Sequence, residues 1–401
     1  MQSKSKIIFL YIIFFFSTIG YYTALTLFTN IFGPTFTRNI TIPMRLLVLV
    51  SLFFYSSKIY NLNLRIKSNQ FFFLFSVIYS IRLVAESFKD EEYYMSLSNF
   101  AFYFFGFCIL PYIGLSNLKL DSDTWQKIKL PFLFGIITLS TLCLVYYGNL
   151  IGQVTRISEG ISKDANYISP LALSYCSVLG SLIFLSSFFL ERRYFRKILL
   201  MILLIFSLIP MILGGSRGGY VAYIFVSLFF VLLRRIKIFN KSLIILILIV
   251  VVTAPLIYGY FESSFNRVVN INEDIVQENT SAYRIVLYKE ALEQISLSPI
   301  FGSSLQIDNV QIHPHNLFLD ILLSTGIIGL LFFLIWLRDI FKNTIYIIRN
   351  SANFYWIPFL FLVGFISSQF SGSMVSSLWL FSGAGMINGF VKSFKKNADF
   401  N

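Results

Sequence analysis

The sequence predicts an all-α integral membrane protein with about twelve transmembrane helices and one large periplasmic loop containing an amphipathic helix. Three observations carry this expectation. Apolar residues make up 56% of the 401-residue chain and charged residues only 13%, about half the charged share of a soluble domain. The apolar residues are gathered into runs close to the length at which a helix crosses a bilayer. Lys and Arg are distributed unequally between the segments that join those runs, a sign of membrane topology.

In chain order the runs lie near residues 7–28, 41–57, 70–86, 97–115, 130–148, 168–190, 197–214, 217–233, 241–260, 317–337, 354–371 and 374–391. The first has too long an apolar stretch for a cleavable signal peptide, and no small-residue cleavage site follows it. Only the turn "GGSRGG" divides the seventh from the eighth. With the amino terminus inside, the cytoplasmic segments sum to +17 and the opposite ones to −5, while Arg45, Arg82 and Asp320 lie within spans. The net charge of +13 is therefore a topology signal and gives no reason to expect a nucleic-acid partner. An even number of spans places both termini in the cytoplasm, with Asn240 inside and Asn279 outside. Cys108, Cys143 and Cys176 fall within spans without CxxC spacing and read as small packing residues. No internal repeat of the kind common in transporters is visible.

This division gives an N-terminal transmembrane bundle over 1–260, with about nine spans, a periplasmic loop over 261–316, and about three C-terminal spans with a cytoplasmic tail over 317–401. Loops of that size are often functional. Within it, "SAYRIVLYKEALEQIS" (281–296) has helical periodicity, with Ile285, Tyr288, Leu292 and Ile295 on one face. Ser281 is a plausible N-cap, and Pro299 stands beyond the end. The helix lies on the membrane or on the bundle, as a functional element or as a simple lid.

Both histidines of the chain, His313 and His315, stand in "HPHN" where this loop enters the tenth span. Imidazole is the side chain whose ordinary pKa lies near neutrality. No third ligand flanks the pair, so a metal site is not expected. In "LGGSRGGYVAY" (213–223), glycines bracket Ser216 and Arg217. They would let backbone approach a ligand closely, and Arg offers a planar fork suited to phosphate. Snorkelling to the interface is the other reading of Arg217. Arg284 lies in the first turn of the loop helix, where the dipole disfavours a cation; it reads either as an anion ligand or as a solvated surface group. No GxSxG serine or Cys/His nucleophile appears, and Glu290, Glu293 and Asp308 do not stand out as a glycosidase pair. One base and two arginines suit transfer from a donor with its own good leaving group, such as pyrophosphate. Such a reaction needs a base for the acceptor hydroxyl and cations for the departing charge.

The stretches "GGSRGG", "TSAYRIVLYKEALEQISLSPIFG" and "HPHNLFLDILLSTGIIGL", in this order over roughly residues 210–335, resemble the O-antigen polymerase and O-antigen ligase superfamily of bacterial envelope glycosyltransferases. The resemblance implies a metal-independent enzyme of the bacterial inner membrane that takes glycan from undecaprenyl pyrophosphate at the periplasmic face, with no cofactor. It implies that Arg217 and Arg284 contact the donor pyrophosphate, aided by Ser216 and Gly218, that His315 is the base, that Asn316 orients it, and that His313 is secondary. Asp320 would be a further polar support, although it lies about 140° around a helix from His315. Two departures stand out: Tyr288 where family members often carry Trp, and Ser303–Ser304 where a third glycine is common. Implied partners are the lipid-linked glycan, membrane lipid, and a chain-length regulator and flippase of the same pathway. The closest reading from resemblance is a polysaccharide polymerase. The alternatives are a ligase transferring glycan to lipid A core and a lipid-linked sugar transporter or flippase.

Overall fold

The computed structural model describes residues 4–33, 36–56, 67–89, 95–151, 153–154, 157, 169–235 and 280–398. Regular structure among them is helical, apart from two isolated bridges, Ile151–Val154 and Ile307–Ile312. The α-helices are α1 (Lys4–Phe16), α2 (Ile19–Phe32), α3 (Thr37–Ser56), α4 (Lys67–Glu86), α5 (Leu97–Tyr103), α6 (Leu110–Ser116), α7 (Ser122–Lys127), α8 (Lys129–Tyr147), α9 (Pro170–Leu190), α10 (Tyr194–Ser207), α11 (Ile209–Gly214), α12 (Arg217–Arg234), α13 (Thr280–Leu297), α14 (Leu317–Asn350), α15 (Trp356–Phe370) and α16 (Leu378–Ala398). A π-helical segment, Phe104–Ile109, joins α5 to α6.

Seven helices among the described residues are long and apolar enough to cross a membrane, or eight if α1 and α2, bent by 69° at their break, form one span. The sequence expects twelve. The run 7–28 is this bent pair. The apolar part of α3, Asn39–Ser51, and α15 are too short to span by length alone, and α16 takes in the charged residues Lys392, Lys395 and Lys396. The expected span 241–260, the loop residues 261–279, and Asn240 with Asn279 lie outside the described residues.

The chain forms two compact units: Met1–Ser51, Leu120–Asn270 and Ile347–Phe359 in the first, and Leu52–Lys119, Ile271–Tyr346 and Leu360–Asn401 in the second. The first is built on α9, buried along most of its length. Small residues allow this. A β-carbon on Gly180 would stand 2.4 Å from Ile136 Cγ1, so α8 and α9 approach only through glycine. Pro210, lacking an amide hydrogen, breaks the helix between α10 and α11. Met211 N then turns to Leu208 O, and Ser207 O accepts from Ser177 Oγ at 2.5 Å. On α12, Ile224, Phe225, Leu228 and Leu232 are all exposed. That stripe is the kind lipid covers.

The second unit is centred on Trp336 of α14, whose ring lies 5.0 Å from Phe333, 5.4 Å from Phe72, 5.6 Å from Tyr112 and 5.7 Å from Phe381. Each such pair stabilises by about 0.5–1.5 kcal/mol beyond area burial. Beside it, Asn388 Nδ2 donates to Tyr112 Oη (2.9 Å), which donates to Asn69 Oδ1 (2.8 Å). Gly385 and Gly389 serve packing within the chain: their β-carbons would meet Tyr112 O at 2.7 Å and Leu115 O at 2.4 Å on α6.

Candidate functional site

The second unit builds the site from α13, the turn that follows it, and the start of α14. The helix α13 starts at Thr280, one residue before the expected cap Ser281. Its buried side differs from the expected one. Leu287, Ala291, Gln294 and Ile295 are buried, whereas Ile285 and Leu292 are 58% and 54% exposed. The buried side packs on Ile307 and Leu323. Arg284 stands three, seven and eleven residues before Leu287, Ala291 and Ile295, so it continues that packed face toward the amino-terminal end. It lies in the second turn rather than the first.

Beyond α13, the backbone of "SPIFGSS" pairs with a break in α14. At Gly326 the chain leaves helical geometry, with φ 62° and ψ −166°. Such a conformation is essentially restricted to glycine. The break frees carbonyls and amides, and the turn takes them up. Ser303 N donates to Leu323 O (2.8 Å), and Ile327 N donates to Pro299 O (2.9 Å). The approach is so close that a β-carbon on Gly326 would stand 2.2 Å from Ile300 O, and one on Gly302 2.6 Å from Leu323 O. Arg82 of α4 clamps both sides. Its guanidinium donates to Ser324 O (2.9 Å), Ser303 O (3.1 Å), Phe301 O (2.9 Å) and Gly302 O (2.6 Å). Glu86, buried, pairs with Arg82 and Lys89. The two serines that replace the common third glycine are used: Ser303 Oγ accepts from Gln294 Nε2, and Ser304 Oγ from Gln306 N.

Residues 307–312 then form a tight turn closed by the Ile307–Ile312 bridge and tied to α13. Asp308 N donates to Gln294 Oε1 (3.0 Å), and Asn309 Nδ2 to Glu290 Oε2 (2.7 Å). The Glu290 carboxylate and the Asp308 backbone amide thus serve this docking.

The histidines emerge from that turn. Their ring centroids are 4.3 Å apart. His315 has φ 53°, a left-handed conformation costing about 1–2 kcal/mol outside glycine. Asn316 holds the next step: its Oδ1 accepts from Phe318 N (3.1 Å) and Leu319 N (3.2 Å) and so caps α14, typically worth about 1 kcal/mol. Asn316 therefore fixes the backbone that carries His315. The side-chain nitrogens His313 Nε2 and His315 Nδ1 are buried without a protein partner. Burial and the neighbouring His315 push the His313 imidazole down to about 3. Burial, then the Arg284 charge, hold His315 below the usual imidazole value. Both rings are neutral at neutral pH, and an electron pair is available on each.

Gln306 is a residue that sequence reasoning missed. It lies one position outside the 307–312 bridge, and His313 lies one position outside on the other strand. That register places opposed side chains on one face. Gln306 is 1% exposed, yet neither Oε1 nor Nε2 has a partner. Such a group costs about 1–3 kcal/mol. Asp320 is buried and accepts from Met374 N at 2.5 Å, so it ties the first turn of α14 to the 3-10 turn Met374–Ser376.

Ser216, Arg217 and Gly218 belong to the first unit. Gly215, with φ 52°, ends α11, and Ser216 Oγ accepts from Gly219 N (3.4 Å) to cap α12. The flanking glycines pack helices: β-carbons on Gly214 and Gly219 would meet Ser174 Oγ at 2.3 Å and Ser174 Cβ at 2.7 Å. Gly218 is buried beside them. Half-buried Arg217 occupies the first helical position.

Residues 200–334, from α10 through the break in α14, match the family model described as O-Antigen ligase. Two curated proteins, each named "Putative polysaccharide ligase", are similar. The one from Rickettsia felis is 25% identical over 285 residues, 64% of this chain and 65% of the relative. The one from Rickettsia bellii is 26% identical over 262 residues, 59% of this chain and 58% of the relative. The chain thus covers less than two thirds of either relative's length. Over residues 200–334 the chain is thus similar to the O-antigen ligase family.

Proposed function

We propose that this protein is a membrane glycosyltransferase of the polysaccharide ligase type, transferring a glycan from a polyprenyl pyrophosphate to an acceptor hydroxyl. The observation that carries the reading is a neutral, partly buried imidazole, His315, held at the amino terminus of α14 beside the charge of Arg284. Oriented base and fixed cation are the two groups this transfer needs. His315 takes the proton from the acceptor hydroxyl as that oxygen attacks the anomeric carbon. The bond from that carbon to the pyrophosphate breaks, and the lipid pyrophosphate leaves with the electron pair. Arg284 faces the charge that develops on it. A pyrophosphate on Arg284 also cancels the charge that weakens His315 as a base, so donor binding strengthens the base. Gln306 offers an amide donor and acceptor to sugar hydroxyls. Arg217, at a half-buried helix start in the first unit, is proposed as a phosphate ligand. The donor enters from the periplasmic side of the inner membrane in this reading.

The ligase alternative takes precedence over the polymerase reading, because the family description and both relatives' names are those of ligases. The transporter reading loses its structural support. Broken helices in transporters bind cargo with their freed backbone, whereas the break at Gly326 is filled by the chain's own turn and by Arg82. The test supplies the purified protein with undecaprenyl-pyrophosphate-linked repeat units, with and without lipid A core. The ligase reading expects glycan addition only when lipid A core is present. A ladder of lengthening chains in its absence would restore the polymerase.

A further inference from the structure

The first unit contains a cavity of about 600 Å³, distinct from the groups discussed above. It lies where the start of α8, the α9–α10 turn and the start of α15 converge, lined by Lys129, Arg192, Arg193, Asn353, Tyr355 and Trp356 among others. Along α9, this end is about 24 Å from Ser174, the residue on which the Gly214–Gly219 turn packs. The cavity and Arg217 are therefore nearly a bilayer core apart.

Three cations face one carboxylate here, and that carboxylate is engaged. Glu191 Oε1 accepts from Arg192 N (2.9 Å) and Arg193 N (3.0 Å), and Arg196 pairs with Oε2 at 3.8 Å. Glu191, which also feels the charge of Arg193, is the single acid in a lining that holds Lys129, Arg192 and Arg193, so the cavity wall stays net positive. Next to the cavity, Ile198, Ile202 and Ile205 of α10 form an exposed apolar ridge at helical spacing, suited to an acyl chain.

We infer that this cavity binds a phosphate headgroup, with the acyl chains of an anionic phospholipid lying along α10. Basic pockets between spans on the positive side of a membrane protein suit such lipids. The test uses the full chain, purified and delipidated, then supplied with phosphatidylglycerol or phosphatidylcholine and examined by native mass spectrometry, with and without millimolar inorganic phosphate. Phosphatidylglycerol should be retained over phosphatidylcholine. Each cation removed should lower retention about fivefold, in Lys129→Gln and in the double variant Arg192→Gln/Arg193→Gln. Retention that survives inorganic phosphate assigns a lipid headgroup; displacement by it assigns a small phosphate anion to the same site. Equal retention of phosphatidylglycerol by wild type and all variants, or no preference over phosphatidylcholine, would overturn the inference.

Discussion

His315 combines a left-handed backbone, a buried ring nitrogen and a neighbouring cation, and each has a measurable consequence. Its depressed pKa keeps the base form populated below pH 6.5, the ordinary imidazole value, so the acid limb of the rate profile should fall below 6.5. Arg284→Gln should move that limb upward, yet leave it below 6.5, because burial is the larger cause. An unmoved limb would separate Arg284 from the base. His313 carries the stability signature. Its unfolded form takes up a proton near 6.5 and its folded form only near 3. Stability present above 6.5 is therefore lost as pH falls from 6.5 toward 3. Gln306→Leu gives the opposite pattern to a structural loss. Replacing an unpartnered buried amide with an apolar group should raise thermal stability, by up to about 1–3 kcal/mol, while transfer falls. A destabilised but fully active variant would place Gln306 outside the site.

At the scale of the element, the break in α14 makes a strong demand on sequence. Gly326→Ala adds a β-carbon 2.2 Å from Ile300 O in a conformation reserved for glycine. It should lower the thermal midpoint in detergent by about 5 °C or more. An unchanged midpoint would mean that the turn and helix do not meet as closely as described. The break was illegible in the sequence because "STGIIG" continues an apolar run, and hydropathy reports length without geometry. Spans with one long uninterrupted run, such as α4, α9 and α12, were legible for the same reason. The buried face of α13 was misread because it carries apolar residues on two sides. What selects Leu287 and Ala291 over Ile285 and Leu292 is the distant contact with Ile307 and Leu323. The histidines were legible as the chain's whole supply of imidazole. Gln306 was not, since a single Gln in a turn has no periodicity and its role appears only across the bridge. The glycines around Arg217 were read as a ligand cradle, but Gly214 and Gly219 are explained by packing on Ser174.

For the whole molecule, charge asymmetry sets the expected orientation, and exposed described residues can report it. Asn309→Cys should react with an impermeant thiol reagent in intact spheroplasts, and Ser122→Cys should not. The native Cys108, Cys143 and Cys176 are buried and would not interfere. The reverse pattern would put the histidines on the cytoplasmic side and defeat the proposed donor. The central claim, glycan transfer with His315 as its base, is tested most directly by the rate of undecaprenyl pyrophosphate release. Purified wild type and His315→Ala would be compared with saturating donor and acceptor at pH 7.5. The expected result is a loss of about 10²–10⁴-fold in a variant whose thermal midpoint is unchanged; release within about twofold of wild type would mean that His315 is not the base.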